Sequence, residues 1–190
     1  QCVLAIDDLH ISKSVRKAGA KFTFTVNAAF GDVVRMCVKQ HGSNWLFPKI
    51  RRAFCHMHRH PSKYSTKLVS CEVWQGETLV AGELGYINGR IYTSLTGART
   101  VSKSGSVQLL ALGGLLKAAG ITVWDFGMAM EYKLALGAKE VPRDDWLALH
   151  AKASVDTDGA VYSAYKSLVW GVGRPVTCRE AIDGKFGGAM

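Results

Sequence analysis

Apolar and polar residues along this chain switch between two periods. Cys2-Val-Leu-Ala-Ile6 reads as a short strand, and Ile11 to about Ala18 as a short basic helix with Ser12 near its start. Phe22, Phe24 and Val26 alternate with Thr23 and Thr25, the period-two mark of a half-buried strand. Phe30, Val33, Val34, Cys37 and Val38 then recur at helical spacing, with Asn27 as the expected cap. Pro48 suits a first helical position, and Ile50, Ala53, Phe54, Met57 and His58 carry the helix on. A β-rich stretch follows: Leu68 to Trp74, a turn at Gln75-Gly76-Glu77, Thr78 to Tyr86, an Asn88-Gly89 hairpin signal, and Arg90 to Leu95. Residues 98–104 read as a loop. Val107 to Ala118 is apolar on most of its surface, which predicts a deeply buried helix ended by Gly120. Ile121 to Phe126 is a strand with Asp125 near its end, and Lys133 to Leu136 and Asp144 to Ala151 are further helical pieces. This order predicts an α/β fold with a mixed central sheet. No G-x-G-x-x-G or Walker pattern and no internal repeat is present.

Composition narrows the class. With 190 residues, 48% hydrophobic and 21% charged, the chain has the profile of one globular domain, which excludes global disorder, collagen and a disulfide-dense mini-protein. The longest apolar run, Val107 to Leu116, falls short of the roughly 18 residues a membrane span needs. The formal net charge of +9 points to a polyanionic partner or to a merely solubilising surface. Five dispersed cysteines without a C-x-x-C pair fit reduced thiols in a reducing compartment. The chain opens on Gln1, and residues 1–11 lack the basic start of a signal peptide, so the expectation is a sequence that begins partway into a longer protein.

Four constellations could carry chemistry. Cys55, His56, His58 and His60 crowd together, but only His56 and His60 share a helix face, so a packed helix is favoured over a metal site. Lys103-Ser104-Gly105-Ser106, ahead of the buried helix, is either an anion-binding helix start or an ordinary cap. Asp125, just past a buried strand, could orient an amine or take a proton, or it could cap a helix. Trp45 beside Lys49, Arg51 and Arg52 could stack a base while the cations hold phosphates, or it could be a core residue beside a solvated face.

Several stretches in register resemble one family. They are Leu9-His-Ile-Ser-Lys-Ser14, Asn27-Ala-Ala-Phe-Gly31, the Trp45 segment, Ser70-Cys-Glu-Val-Trp74 through Leu79-Val-Ala-Gly82, and Leu136-Gly-Ala-Lys-Glu-Val-Pro-Arg-Asp144. Over about residues 3–152 the chain resembles the leucyl/phenylalanyl-tRNA–protein transferases. The resemblance implies a mixed sheet similar to the GCN5-related N-acetyltransferase fold over residues 1–153, with a divergent tail at 154–190 and the family's smaller N-terminal lobe absent from this sequence. It implies transfer of an amino acid from aminoacyl-tRNA to a protein N-terminal amine in the N-degron pathway of protein degradation. No metal or cofactor is implied, and the expected protein is a cytoplasmic monomer without membrane contact. Position by position, Asp125 matches the catalytic carboxylate, and Trp45 matches a tryptophan at the tRNA 3′ end, with Lys49, Arg51 and Arg52 beside it. Glu83, Tyr92, Gly97, Leu109, Leu112, Leu116 and Trp124 would line the aminoacyl side-chain pocket.

The chain departs from the family pattern at several of these places. Gly127 stands where the family has glutamine, Leu95 where it has glutamate, Met130 where it has asparagine, and Glu83 and Gly97 where it has methionines. A carboxylate in an apolar wall is costly unless paired, so if Glu83 points into the pocket the donor shifts from Leu or Phe toward a basic residue. Gly127 and Leu95 favour an alternative, a catalytically impaired relative that binds tRNA ends or protein N-termini. A CoA-dependent N-acyltransferase is a third reading, although the usual Gln/Arg-x-x-Gly-x-Gly/Ala loop is not met.

Overall fold

The structure, a computed structural model, describes residues 1–155 and 175–186, together with 159 and 166. Its strands are β1 (Cys2–Ala5), β2 (Thr23–Val26), β3 (Lys67–Gln75), β4 (Thr78–Asn88), β5 (Ile91–Arg99), β6 (Val123–Gly127), β7 (Lys139–Glu140) and β8 (Val176–Thr177). The helices are α1 (Lys13–Ala18), α2 (Phe30–His41), α3 (Pro48–Arg59), α4 (Ser104–Ala118), α5 (Glu131–Leu134), α6 (Arg143–Ala153) and α7 (Cys178–Ile182). Among the described residues the strands form one sheet in the order β7-β1-β6-β5-β4-β3-β2-β8. Every neighbouring pair is antiparallel except β5 and β6. Parallel neighbours need a crossover, and α4 supplies it. The α/β fold with a mixed sheet is therefore as the apolar pattern predicts.

Helix α4 lies against one sheet face. Val107, Ala111, Leu112, Leu115 and Leu116 are buried there with Val69, Cys71, Val73, Tyr92 and Trp124. On the opposite face α2 and α3 cover Leu68, Leu84 and Leu95, and α6 covers Val3, Ile91 and Val123. Because successive strand residues alternate faces, Trp124 and Phe126 belong to the α4 side and Val123 and Asp125 to the other.

The tail returns to the fold. Strand β8 pairs with β2, and the Cys178 N–H donates to Phe22 O at 2.9 Å. Helix α7 then packs on α4 so tightly that a Cβ at Gly114 would stand 2.0 Å from Ala181 O. Thr177 and Glu180 close a capping box at the start of α7.

Some local expectations shift. Asn27 does not cap α2; it sits at φ 58°, and its Oδ1 accepts the Ser70 N–H at 2.9 Å. Ala29 is the residue before α2 and offers no side-chain oxygen. The acceptor comes from Glu72 on β3, whose carboxylate takes the Ala28 and Ala29 N–H groups at 3.4 and 3.3 Å. The hairpin falls one residue later than the Asn-Gly signal, since Asn88 still pairs with Ile91 and Gly89 takes the positive φ of 57°. Strand β5 runs on to Arg99, and α4 begins at Ser104, so the expected loop at 98–104 shortens from both ends.

Candidate functional site

The site is built where two parallel strands part. β5 and β6 pair only at Ile91–Val123, Tyr92–Trp124 and Thr93–Asp125. Beyond that point Ser94 to Ala98 and Phe126 line opposite walls of a cavity of about 620 Å³, together with Met130, Tyr132 and Lys133. Helix α4 enters through Gly105, Ser106, Gln108 and Leu109, and the end of α2 through Gln40 and His41. Both α2 residues brace β5: Gln40 Oε1 accepts the Arg99 N–H at 2.9 Å, and His41 Nε2 meets Gly97 O at 2.7 Å.

The two ends of the cavity differ in charge. Exposed His41, Arg99 and Lys103 stand at the rim, next to the first turn of α4. That turn is the anion-type segment singled out in the sequence. The Ser104 hydroxyl, however, is buried and donates to Val80 O and Val101 O. At the inner end is Glu83, 3% exposed, with Leu95, Leu109 and Phe126 as apolar neighbours along the lining. Its carboxylate accepts from Tyr92 Oη at 3.2 Å, from Ser94 Oγ and from Gln108 Nε2 at 3.2 Å. Burial pushes the Glu83 carboxyl above the usual glutamate range, and these three neutral donors together with the nearby Lys133 charge offset part of that.

Local sequence explains why Glu83 is held this way. A Cβ at residue 85 would stand 2.1 Å from Tyr92 Oη, so Gly85 is what lets the tyrosine lie across β4 to reach Glu83. The register between β4 and β5 slips at Leu84/Gly85, where Leu84 faces Thr96 and Gly85 faces Ser94. The slip leaves Leu95 as the extra residue. Trp124 Nε1 donates to Ser94 Oγ at 2.8 Å and so fixes the serine that binds the carboxylate.

Of the expected pocket residues, Glu83, Gly97 and Leu109 line the cavity. Tyr92 and Trp124 are fully buried behind it and reach it through Glu83 and Ser94. Leu112 and Leu116 lie in the core under α4 and are not brought to the cavity wall. Asp125, 4% exposed, sits at the last paired position before the strands part, on the face away from Glu83. Its Oδ1 accepts from Gln1 Nε2 at 2.6 Å and from the Gly127 N–H at 2.8 Å, and its Oδ2 accepts from Thr93 Oγ1 at 3.3 Å. The carboxylate thus ties β5, the end of β6 and the residue before β1 together and does not itself line the cavity. Gly127 has φ 71°, a conformation that strains a side chain, so a glutamine at this place would carry a backbone cost that glycine does not.

Trp45 lies in the loop between α2 and α3, 41% exposed and edge-on to Phe54 at 6.3 Å. Lys49 and Arg52 are exposed and Arg51 half-buried on α3. Arg51, Arg52 and Arg59 border an open basic groove with Pro48, Cys55 and His56. The histidine cluster is a packed helix: His58 stacks on Phe30 at 4.1 Å and burial lowers its pKa, while His56 lies edge-on to His60 at 4.4 Å. No group of three metal-ligating side chains occurs among the described residues, and no described helix is long and apolar enough to cross a membrane.

Sequence reasoning missed Lys133, Gln108 and the α2 pair. Lys133 is buried and donates to Phe126 O at 2.8 Å and Met128 O at 2.7 Å, which holds the loop after β6 at the cavity wall. A lysine in a short polar helix gives no local signal for this. A glutamine on an otherwise apolar helix, as at Gln108, does.

Comparison with known proteins gives the family. The model of the leucyl/phenylalanyl-tRNA protein transferase family matches residues 3–151. Leucyl/phenylalanyl-tRNA–protein transferases of Edwardsiella ictaluri and Pectobacterium carotovorum are each 31% identical over 150 residues, covering 77% of this chain and 60% and 62% of those proteins. That of Flavobacterium johnsoniae is 30% identical over 153 residues, covering 77% of this chain and 70% of its own. The chain spans about 60% of the length of the first two relatives. On a match that covers most of its length, the chain belongs to the leucyl/phenylalanyl-tRNA–protein transferase family.

Proposed function

We propose that the chain is an aminoacyltransferase that moves an amino acid from the 3′ end of an aminoacyl-tRNA to the N-terminal amine of a protein, marking it for degradation in the N-degron pathway. The observation that carries the reading is the cavity between the parting strands β5 and β6, lined by exposed cations and by buried Glu83, in a chain of this family. Two parallel strands that separate at a ligand cleft also favour the GCN5-related N-acetyltransferase-like description of the sheet.

In this reading His41, Arg99, Lys103 and the start of α4 hold the terminal phosphates, as cations and a helix N-terminus do. Trp45 stacks a base, and Lys49, Arg51 and Arg52 track the backbone beside it. The aminoacyl group enters the cavity. The uncharged acceptor amine attacks the ester carbonyl, the ester C–O bond breaks, and the ribose hydroxyl leaves with the proton the amine gives up. Every atom is accounted for by the two substrates. Positioning therefore supplies most of the acceleration. Asp125 keeps the catalytic role implied by the resemblance and exerts it through the strand end: it holds the Gly127 N–H, next to Phe126 on the cavity wall. The same reading makes the protein a cytoplasmic monomer.

A second reading has its own support. The Asp125 carboxylate is engaged by three donors on the far face of β6, which favours a relative that binds charged tRNA ends without transferring their cargo. A transfer assay with aminoacyl-tRNA and an acceptor peptide separates the two. The transferase reading expects turnover by the wild type that falls about a hundredfold in Asp125→Ala, as the strand end at the cavity wall loses its position. Binding of charged tRNA without turnover by either protein would replace it with the binder.

A further inference from the structure

The inner end of the cavity is set up for a positive charge. Glu83 is held by three neutral donors and buried at the wall, and none of the ion pairs among the described residues involves it. The cation near it, Lys133, has its Nζ committed to Phe126 O and Met128 O. Lys133 acts on it only at a distance, without an ion pair, so a preoriented carboxylate on the lining with Leu109 and Phe126 still leaves most of its charge to be balanced by whatever enters. The rim is cationic, so the cavity complements a molecule anionic at one end and cationic at the other. A nucleotide end esterified with lysine or arginine has that polarity. One esterified with leucine or phenylalanine would bring hydrocarbon against the carboxylate and strip its remaining hydration.

We propose that Glu83 makes this cavity select an aminoacyl group with a cationic side chain, lysine or arginine, over leucine and phenylalanine; this rests on the aminoacyl-tRNA reading above. Discrimination of this kind is strong because the wrong side chain leaves a buried polar group unmet, while the right one gains a charge-assisted hydrogen bond. Gly97, opposite Glu83 across β4 and β5, carries no side chain to fill the space in front of it.

The test uses non-transferable 3′-aminoacylamido-adenosines carrying lysine, arginine, leucine or phenylalanine, measured by calorimetry on the wild type, Glu83→Gln and Glu83→Met. In parallel, tRNAs charged with the same four amino acids are assayed for transfer. The wild type is expected to bind the lysyl or arginyl analogue at least about tenfold more tightly than the leucyl one. Glu83→Gln should reduce that ratio to near one, and Glu83→Met should reverse it, with circular dichroism confirming that both variants fold. Equal binding of lysyl and leucyl analogues by the wild type overturns the proposal. So does a Glu83→Gln that weakens all four analogues alike, since the carboxylate would then read the α-ammonium they share. Preference for the basic analogues with no transfer from any tRNA keeps the selectivity and removes the transferase reading. Transfer of leucine in preference to lysine and arginine keeps that reading and removes the selectivity.

Discussion

Glu72 and Glu83 are both buried carboxylates on adjacent strands of one sheet, and they do opposite jobs. Glu72 faces α2 and is fully enclosed. It accepts from Thr25 Oγ1 at 2.7 Å, from Ser70 Oγ and from the two N–H groups that open α2, with Trp74 Nε1 in turn holding Thr25. Two of its donors are main chain at a helix start, which that helix cannot satisfy itself. Glu83 faces α4, its donors are side chains alone, and its surroundings open on a cavity. A buried carboxylate that completes a helix end belongs to the scaffold. One oriented by side chains at the edge of a cavity is left available to a ligand.

The largest effect should come from the enclosed carboxylate. Glu72→Ala orphans Thr25, Ser70, Ala28 and Ala29 together and is expected to cost about 3 kcal/mol in denaturant unfolding. Glu83→Gln should stay within about 1 kcal/mol of wild type. If the two variants lose stability equally, the distinction between scaffold and ligand carboxylates collapses. Gly114→Ala comes next. Its new methyl would drive into the Ala181 carbonyl, so a loss of about 2 kcal/mol is expected in the same measurement, with analogue binding unchanged in the protein that remains folded. A change in donor preference instead would mean that the cavity is not insulated from the α7 side.

Replacing Lys49, Arg51 and Arg52 together by Ala tests the outer surface on the Glu72 side. The log–log salt dependence of tRNA binding should become shallower by about 2, while the lysyl-to-leucyl ratio stays fixed. An unchanged slope places the RNA elsewhere. The smallest effect is in pH. Burial raises the folded pKa of Glu83, so its favourable contribution is complete below the ordinary glutamate value of about 4.3 and is lost as pH rises through the raised value. Glu72 is raised in the same sense, also by burial. Glu83→Gln should therefore flatten the fall in thermal stability with rising pH and leave the part due to Glu72. A profile identical to wild type would mean that Glu83 keeps an ordinary proton affinity.

What the sequence makes legible follows from how local each cause is. The apolar period of α2, the uniformly apolar α4 and the alternation of β2 are local, and each element forms as its pattern predicts. The start of α2 is different: Asn27 has a cap's chemistry, but the acceptor is supplied by Glu72 from another strand, and no local rule connects them. Glu83 announces itself as a charge in an apolar strand. Its orientation depends on Gly85 yielding room to Tyr92 and on a register slip, neither of which periodicity shows. Gln40 and His41 look like a polar helix end, and only the tertiary fold brings them to β5. Asp125 is recognisable by resemblance, while its place on the far face follows from strand parity once β6 has registered against β5.

The contact between Gly114 and Ala181 has a practical consequence. Family resemblance stops near the end of α6, which would tempt an engineer to trim the gene there. Such a shortened polypeptide would lose β8 and α7, leave the outer side of α4 greasy and wet, and bare the hydrogen-bonding edge of β2 to any passing strand. Insolubility of that product would report a missing wall rather than a missing activity.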